Sequence, residues 1–224
     1  MANHDAFHPS LDLEQFIEQQ ILPRYQHFDR AHGMQHVVSV IRRSMALARQ
    51  LGADADMAYT VAAYHDLGLE GPRAIHHLTS GRILAADQRL KRWFTTEQIQ
   101  VMAQAVEDHR ASAAKAPRSL YGKIVAEADR DLNPDVVISR TVQFGLAHYP
   151  QLDKDRQWER FCQHMDEKYS TKGYIRLWLT PSDNERHLKA LREMIADKTR
   201  LRQAFDKAYA EANGNNTHNT KKSL

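Results

Sequence analysis

Several features that would assign a chain to a class at once are missing from this 224-residue sequence. There is a single cysteine, Cys162, which excludes an intramolecular disulfide and is typical of a reducing compartment. No apolar run approaches the roughly 18 residues needed to cross a bilayer. Lys and Arg (31) barely exceed Asp and Glu (28), and the charges are interspersed, so no basic stripe favours nucleic-acid binding. We therefore expect a cytoplasmic protein without a membrane span or a stable nucleic-acid partner.

Strand-like alternation and fixed-period repeats are also missing, whereas apolar residues recur at three- and four-residue steps along most of the chain. This pattern predicts an all-α fold, and the length is sufficient for one sizeable core. We predict a single helical bundle domain over residues 1–212, with a core at about 29–132 and additional C-terminal helices at 134–212. The Asn-rich tail, residues 213–224, is predicted to be disordered. The sequence leaves the oligomeric state open.

Capping signals mark individual helix starts in this pattern. Ser10 precedes an apolar stripe, and Thr95 has Gln98 at the capping-box position. A capping Thr180 followed by Pro181 predicts the start of a late helix.

Histidine is the unusually frequent residue, with 13 copies, and His65 lies beside Asp66 at the end of an apolar helical segment. Together these two residues offer one nitrogen and one oxygen to a metal ion. Adjacent residues on a helix point about 100° apart, so the pair can share an ion only near a helix end. We expect Gly68 to supply that end. The alternative is a buried His at a helix C-terminus beside a solvated Asp.

Other polar residues lie at or near the inward faces of predicted helices. His32 and His36 are four residues apart, and they share a face if their helix extends back past Gly33. His109 continues the apolar face of the helix that begins at Thr95. An alternative for each is a surface histidine or a histidine satisfied within the core.

His76 and His77 are adjacent at a helix start, so at most one of them is expected to enter a site. Asp129 lies beside the buried face of its helix and therefore requires a partner. A metal ion is one candidate, and Arg130 or a backbone group is the alternative.

In order and context these pieces resemble the HD-domain superfamily of metal-dependent phosphohydrolases. The resemblance covers roughly residues 29–132. Its matching elements are His36-Val37, His65-Asp66-Leu67-Gly68, His77 four residues before Gly81, His109, and Ala128-Asp129-Arg130.

The resemblance implies a metal centre with one or two divalent ions. It implies that four residues hold one metal, namely His36, His65, Asp66 and Asp129. His77 and His109 resemble the additional ligands of the two-metal branch, in which Asp66 would bridge and these three residues would be catalytic. Imidazole and carboxylate ligands suit Mn, Fe, Co, Ni, Mg or Zn.

The chain departs from the family pattern at two positions. Gly33 stands where the family often has an acid, and Leu69 stands where many members have Lys. Contacts to a substrate phosphate must then come from elsewhere, and the candidates are His32, Arg110, Lys115, Arg118, Lys123 and Arg130. The alternative for each of these Arg and Lys side chains is that it belongs to a solvated basic face and does not contact a substrate. Glu70 is either a proton-transfer group or a loop acid.

The expected function is hydrolysis of a phosphate ester or anhydride in a small phosphorylated molecule, a nucleotide, through metal-activated water. Two alternatives stay open. Some members of the superfamily hold two irons and oxidise their substrates with O₂, and others have lost ligands and serve as signalling or scaffold domains.

Overall fold

The structure is a computed structural model, and it describes residues 7–29, 31–112, 115–180 and 182–220, with side chains up to residue 214. Within these residues the chain is helical and has no strand, which confirms the predicted all-α fold. No helix in this part of the chain has both the length and the apolar character that a bilayer crossing requires. The chain divides into two compact units between Arg130 and Asp131.

The described residues of the first unit form six α-helices, with short 3-10 turns between them. They are α1 (Leu11–Gln20), α2 (Met34–Leu51), α3 (Ala55–Tyr64), α4 (His76–Ala86), α5 (Thr96–Glu107) and α6 (Leu120–Asp129). The 3-10 turns are Leu22–His27, Leu67–Glu70, Arg73–Ile75 and Gln88–Arg92.

Helix α3 is the central element of this unit, because every residue from Met57 to Tyr64 is buried. Its small residues let neighbouring helices come close, and α2, α5 and α6 all pack against it. The side chain of Asp54 caps the helix by accepting a hydrogen bond from the Met57 N–H at 2.9 Å. The end of α3 is therefore held deep inside the unit, and His65 and Asp66 follow directly.

Two glycines allow close packing around α4. A Cβ on Gly81 would lie 2.6 Å from Glu107 Cγ and 2.9 Å from the Ala103 oxygen, both on α5. A Cβ on Gly68 would collide with the His76 carbonyl oxygen and would lie 2.7 Å from the Ser80 nitrogen. The Gly68 N–H donates to Ser80 Oγ at 2.8 Å. Gly68 thus lets the start of α4 pack against the turn that follows Asp66, and Gly81 lets α4 pack closely against α5.

The second unit contains α7 (Pro134–His148), α8 (Lys154–Tyr169), α9 (Asp183–Ala196) and α10 (Lys198–Thr220). Helix α7 packs against the other three, and the rings of Phe161 and Phe205 meet 5.1 Å apart in the core. The structure continues α10 to Thr220, whereas the sequence pattern predicted disorder from residue 213. Residues 221–224 of that predicted tail lie outside the described residues.

Two of the three predicted helix starts coincide with N-caps in the structure. Ser10 is the N-cap of α1, and Thr95 and Gln98 form the predicted capping box of α5. Helix α9 instead starts at Asp183 and is capped by Ser182, whose hydroxyl accepts from the Glu185 N–H. The prediction of Thr180 as the cap is therefore wrong, and Pro181 lies outside the described residues.

Candidate metal centre

The backbone leaves the helical path directly after α3. His65 still has helical dihedral angles, whereas Asp66 has φ −110° and ψ 4°. The expectation that Gly68 ends the helix is not met, because α3 ends at Tyr64 and Gly68 lies within a 3-10 turn. Among the described glycines only Gly52 has a positive φ. The contribution of Gly68 is its lack of a side chain against α4.

His36, His65 and Asp66 form a first group of candidate ligands. The Nε2 atoms of His36 and His65 are 3.2 Å apart, and Asp66 Oδ2 lies 3.5 Å and 3.3 Å from them. Asp129, at the end of α6, places Oδ1 3.2 Å from His36 Nε2 and 3.8 Å from His65 Nε2. The structure thus brings together the four residues that the resemblance implied for one metal.

Asp66, His76 and His109 form a second group. The Nε2 atoms of His76 and His109 are 3.2 Å apart, and each lies 3.5 Å from Asp66 Oδ1. The two oxygens of Asp66 therefore face different histidine pairs. One buried carboxylate lies between two sets of nitrogen donors, which is the arrangement that a bridging ligand requires.

Backbone carbonyls fix the tautomers of three of these histidines. Nδ1 of His65 lies 2.7 Å from the Ala62 oxygen, Nδ1 of His109 lies 2.6 Å from the Val106 oxygen, and Nδ1 of His76 lies 2.8 Å from the Arg73 oxygen. Because a carbonyl oxygen can only accept, each Nδ1 carries a proton and donates it. In the neutral rings Nε2 is then a lone-pair donor to metal, held in place as metal-ligating histidines usually are.

The second group shows most directly that a cation fits. With Nδ1 protonated, the neutral rings of His76 and His109 face each other through unprotonated nitrogens, and Asp66 Oδ1 is also an acceptor. Three acceptors that converge without a donor repel one another, so a proton or a metal ion has to lie among them. Nitrogen and oxygen donors within 4.8 Å of one another suit a divalent metal.

Without metal, protons would serve this purpose. Burial alone lowers the pKa of His36, but hydrogen bonds and charges from Asp129 and Asp66 outweigh it and raise the pKa to about 9. For Asp66, burial alone would raise the pKa of the carboxyl group. The surrounding imidazoles outweigh burial and hold this pKa well below its usual range. Metal binding would therefore displace protons from the cluster.

His77, predicted from the sequence to be a ligand, belongs to neither group, and the adjacent His76 occupies the position beside His109. The Nδ1 of His77 is buried and has no hydrogen-bond partner among the described residues. Burial lowers the pKa of His77, and the charge of Arg110 lowers it further. Because neighbouring side chains on a helix point about 100° apart, only one of the two imidazoles can enter the cluster.

The candidate substrate contacts are dispersed over the first unit. Arg118 is bound to acids at the end of α5, with Nη2 2.6 Å from Glu107 Oε2 and Nε 3.0 Å from Asp108 Oδ1. Arg130 is buried, Lys115 is exposed and Lys123 is half-buried. Arg110 directly follows His109 of the second group, and its Nη1 donates to the Ala74 oxygen at 2.9 Å.

Two further candidates lie in the loops before α2 and α4. His32 precedes α2, because Gly33 is the N-cap of that helix, so His32 does not share one helical face with His36. Glu70 accepts two hydrogen bonds of 2.7 Å from the Arg24 guanidinium. Those bonds hold the pKa of Glu70 below its usual value, so Glu70 is ionised at neutral pH and has no proton to donate.

Tyr25, which sequence reasoning did not single out, supports the turn that carries His65 and Asp66. Its hydroxyl donates to the Ala63 oxygen at 2.9 Å and accepts from the Asp66 N–H at 3.3 Å. Its buried ring lies 6.4 Å from the imidazole of His65, centroid to centroid. The hydroxyl thus binds the backbone on both sides of His65 at the point where the chain leaves α3.

Tyr25→Phe is expected to weaken metal binding by roughly 10- to 100-fold, the usual effect of losing a group that orients a ligand. Calorimetric titration of the metal-free protein with Co²⁺ measures this effect. Tyr64→Phe is the matched control. It also removes a buried tyrosine hydroxyl near the end of α3, but that hydroxyl donates to Asp87 Oδ2 at 2.8 Å and not to the turn that carries His65 and Asp66. Equal Co²⁺ affinities in the two variants would contradict the role of Tyr25.

Gly68→Ala is expected to destabilise the fold by about 1–3 kcal/mol, because the new methyl group meets backbone atoms of α4 that cannot move aside independently. Gly71→Ala is the control, since the nearest atom to its Cβ would be the Gly68 oxygen at 3.6 Å, an ordinary contact. Denaturant unfolding of both variants measures the difference. Equal stabilities would show that α4 can move away from the turn without cost.

A family model and two solved structures resemble this chain. Residues 33–133 match the HD-domain family model, and this range contains all the residues of the two groups. This segment of the chain is therefore similar to an HD domain. No curated protein matches the chain in sequence.

Two solved structures are similar to this chain. Bacillus subtilis YpgQ in complex with ADP has a TM-score of 0.54 and 19% identity, with 88% of this chain and 95% of that chain covered. A predicted HD superfamily hydrolase from an uncultured Thermotogales bacterium has a TM-score of 0.47 and 20% identity, with coverages of 68% and 83%. At such identities the likeness to YpgQ concerns the fold.

Proposed function

We propose that this chain is a member of the HD-domain superfamily and a metal-dependent phosphohydrolase that cleaves a phosphate ester or anhydride bond in a nucleotide. The observation that carries the proposal is the position of Asp66, whose Oδ2 faces His36 and His65 and whose Oδ1 faces His76 and His109. Two convergent sets of donors sharing one carboxylate fit a pair of divalent ions.

The residues divide into two ligand sets with one member in common. His36, His65, Asp66 and Asp129 would hold one ion, and Asp66, His76 and His109 would hold the other. Bound there, divalent ions supply Lewis-acid stabilisation of phosphoryl oxygens and a water of lowered pKa.

The protein's own contribution is orientation and electrostatics. Backbone carbonyls hold the rings of His65, His76 and His109, so their Nε2 atoms need not reorganise on ligand binding. Asp66 is almost entirely buried, which keeps water from competing for its oxygens. A substrate phosphate would meet a site whose geometry is already set.

The nucleotide class rests on the resemblance of the ligand set to HD phosphohydrolases and on the ADP that the YpgQ structure contains. Nucleoside mono-, di- and triphosphates are therefore the first compounds to test.

The test is metal analysis of protein purified without chelator, followed by phosphate and pyrophosphate release from a nucleotide panel. Mn²⁺, Mg²⁺, Co²⁺ and Ni²⁺ are added singly to chelator-treated protein. Metal-dependent release that is lost in Asp129→Ala supports the proposal, and the released product identifies the bond that is cut. About two irons per chain, O₂ consumption and no release under any metal would instead support an oxygenase.

A further inference from the structure

The candidate centre is partly accessible to solvent. Three of its side chains are essentially buried, namely His65, Asp66 and His109. The side chains of His36, His76 and Asp129 are 11%, 16% and 22% exposed. A substrate therefore reaches the cluster past these three residues.

His32 and Arg73 lie beside the two partly exposed histidines of the centre, His36 and His76. The ring of His32 meets the ring of His36 edge to face, with centroids 6.0 Å apart. The carbonyl of Arg73 accepts the hydrogen bond from His76 Nδ1. Arg73 Nη2 donates to His32 Nε2 at 3.2 Å. This hydrogen bond joins a residue that contacts His36 of the first group to a residue that binds His76 of the second group.

The hydrogen bonds determine how Arg73 is held. A guanidinium can only donate, so Nε2 of His32 is the acceptor and its Nδ1 donates to Asp29 Oδ1 at 2.8 Å. Asp29 in turn lies 3.6 Å from Arg73 Nη1, which is too far for a hydrogen bond. The guanidinium is thus positioned by two neighbours while Nη1 keeps donor capacity, and its side chain is 68% exposed.

We propose that Arg73, oriented by His32 and Asp29, binds a phosphate group of the substrate other than the one that reacts. This inference rests on the proposed phosphohydrolase function and narrows its substrate class to molecules with at least two linked phosphates. Arginine binds phosphate through paired N–H donors, and a positioned guanidinium loses less conformational entropy when it does so. With one phosphoryl group at the buried carboxylate, the next one would extend past His36 and His76 toward Arg73.

Steady-state kinetics of Arg73→Ala test this subsite with a nucleoside diphosphate or triphosphate, whichever the wild-type protein cleaves. KM is expected to rise about 10-fold or more, the usual effect of losing one charge-assisted contact, while kcat stays within about twofold. Arg73→Lys is expected to restore part of the loss, because it keeps the charge without the planar fork. A nucleoside monophosphate, if cleaved at all, should show no change.

Arg92→Ala is the matched control, since Arg92 is 67% exposed and pairs with Asp12 at 3.1 Å. Its KM should equal that of the wild-type protein. If the wild-type protein is active and Arg73→Ala leaves KM unchanged, the subsite is wrong and the phosphohydrolase function stands. If the wild-type protein releases no phosphate from any compound with any metal, the proposed function fails and the subsite fails with it.

Discussion

Asp66→Ala is expected to abolish metal binding at both ligand groups, because each group depends on one oxygen of this carboxylate. Losing an outer-shell partner already costs roughly 10- to 100-fold in affinity, and a shared ligand should cost more. Metal content of the purified variant should fall from about two equivalents to a small fraction, and phosphate release should fall to background. Elemental analysis and the release assay measure the two effects.

Two variants sharpen this test. Asp66→Asn has nearly the same shape but only one acceptor oxygen, so it is expected to retain no more than one ion. Asp183→Ala removes an exposed carboxylate from the start of α9 and should retain both ions. If Asp66→Ala folds and still binds two equivalents, then the carboxylate does not join the two groups.

His76→Ala and His77→Ala, changes at adjacent positions, are expected to have very different effects. His76→Ala removes the Nε2 that lies 3.5 Å from Asp66 Oδ1, so one of the two ions should be lost and activity should fall about 100-fold or more. His77→Ala removes a side chain outside both groups and should leave metal content unchanged. Metal stoichiometry of the two variants, prepared in parallel, decides between them.

The reverse result would have a definite structural meaning. If His77→Ala lost the ion and His76→Ala kept it, the start of α4 would have to be rotated by one residue relative to the structure. Thr79→Ala is a useful control at this helix, because the Thr79 hydroxyl donates a hydrogen bond to the Ile75 carbonyl of the same turn, at 3.3 Å, and lies outside both ligand groups.

The ambiguity between these two histidines shows where sequence information ends. His76 precedes the buried residues Ser80 and Leu84 by four and eight positions, and His77 precedes them by three and seven. Both spacings place a residue on the same helical face, so periodicity cannot choose between the two histidines. The choice depends on the 3-10 turn before α4 and on the bond from His76 to the Arg73 carbonyl. A turn of this kind leaves little trace in residue types.

His65 and Asp66 were easier to find, because the other histidines and Asp129 recur in the order that resembles the HD-domain superfamily. Both residues follow the end of α3, as the pattern predicted, but the predicted cause of the helix end was wrong. A glycine after a helix commonly adopts positive φ and ends it, whereas Gly68 allows backbone contact with α4. Close approach between segments is a tertiary property that local pattern does not show.

The support of the site was less predictable than its ligands. Tyr25 lies 38 residues before Ala63 and 41 before Asp66, in a separate 3-10 turn, and nothing in its local sequence indicates that contact. Arg118 was likewise a candidate phosphate contact from its sequence position, whereas the fold places it against Glu107 and Asp108. Such pairings depend on how loops return to the helices.

The most direct test of a carboxylate shared by two metal ions is anomalous diffraction from crystals of the protein loaded with Mn²⁺. Two anomalous peaks are expected on opposite sides of the Asp66 carboxylate, one beside His36 and His65 and the other beside His76 and His109. A protein that hydrolyses nucleotides with Mn²⁺ while showing no peak beside Asp66 would contradict the proposed metal centre.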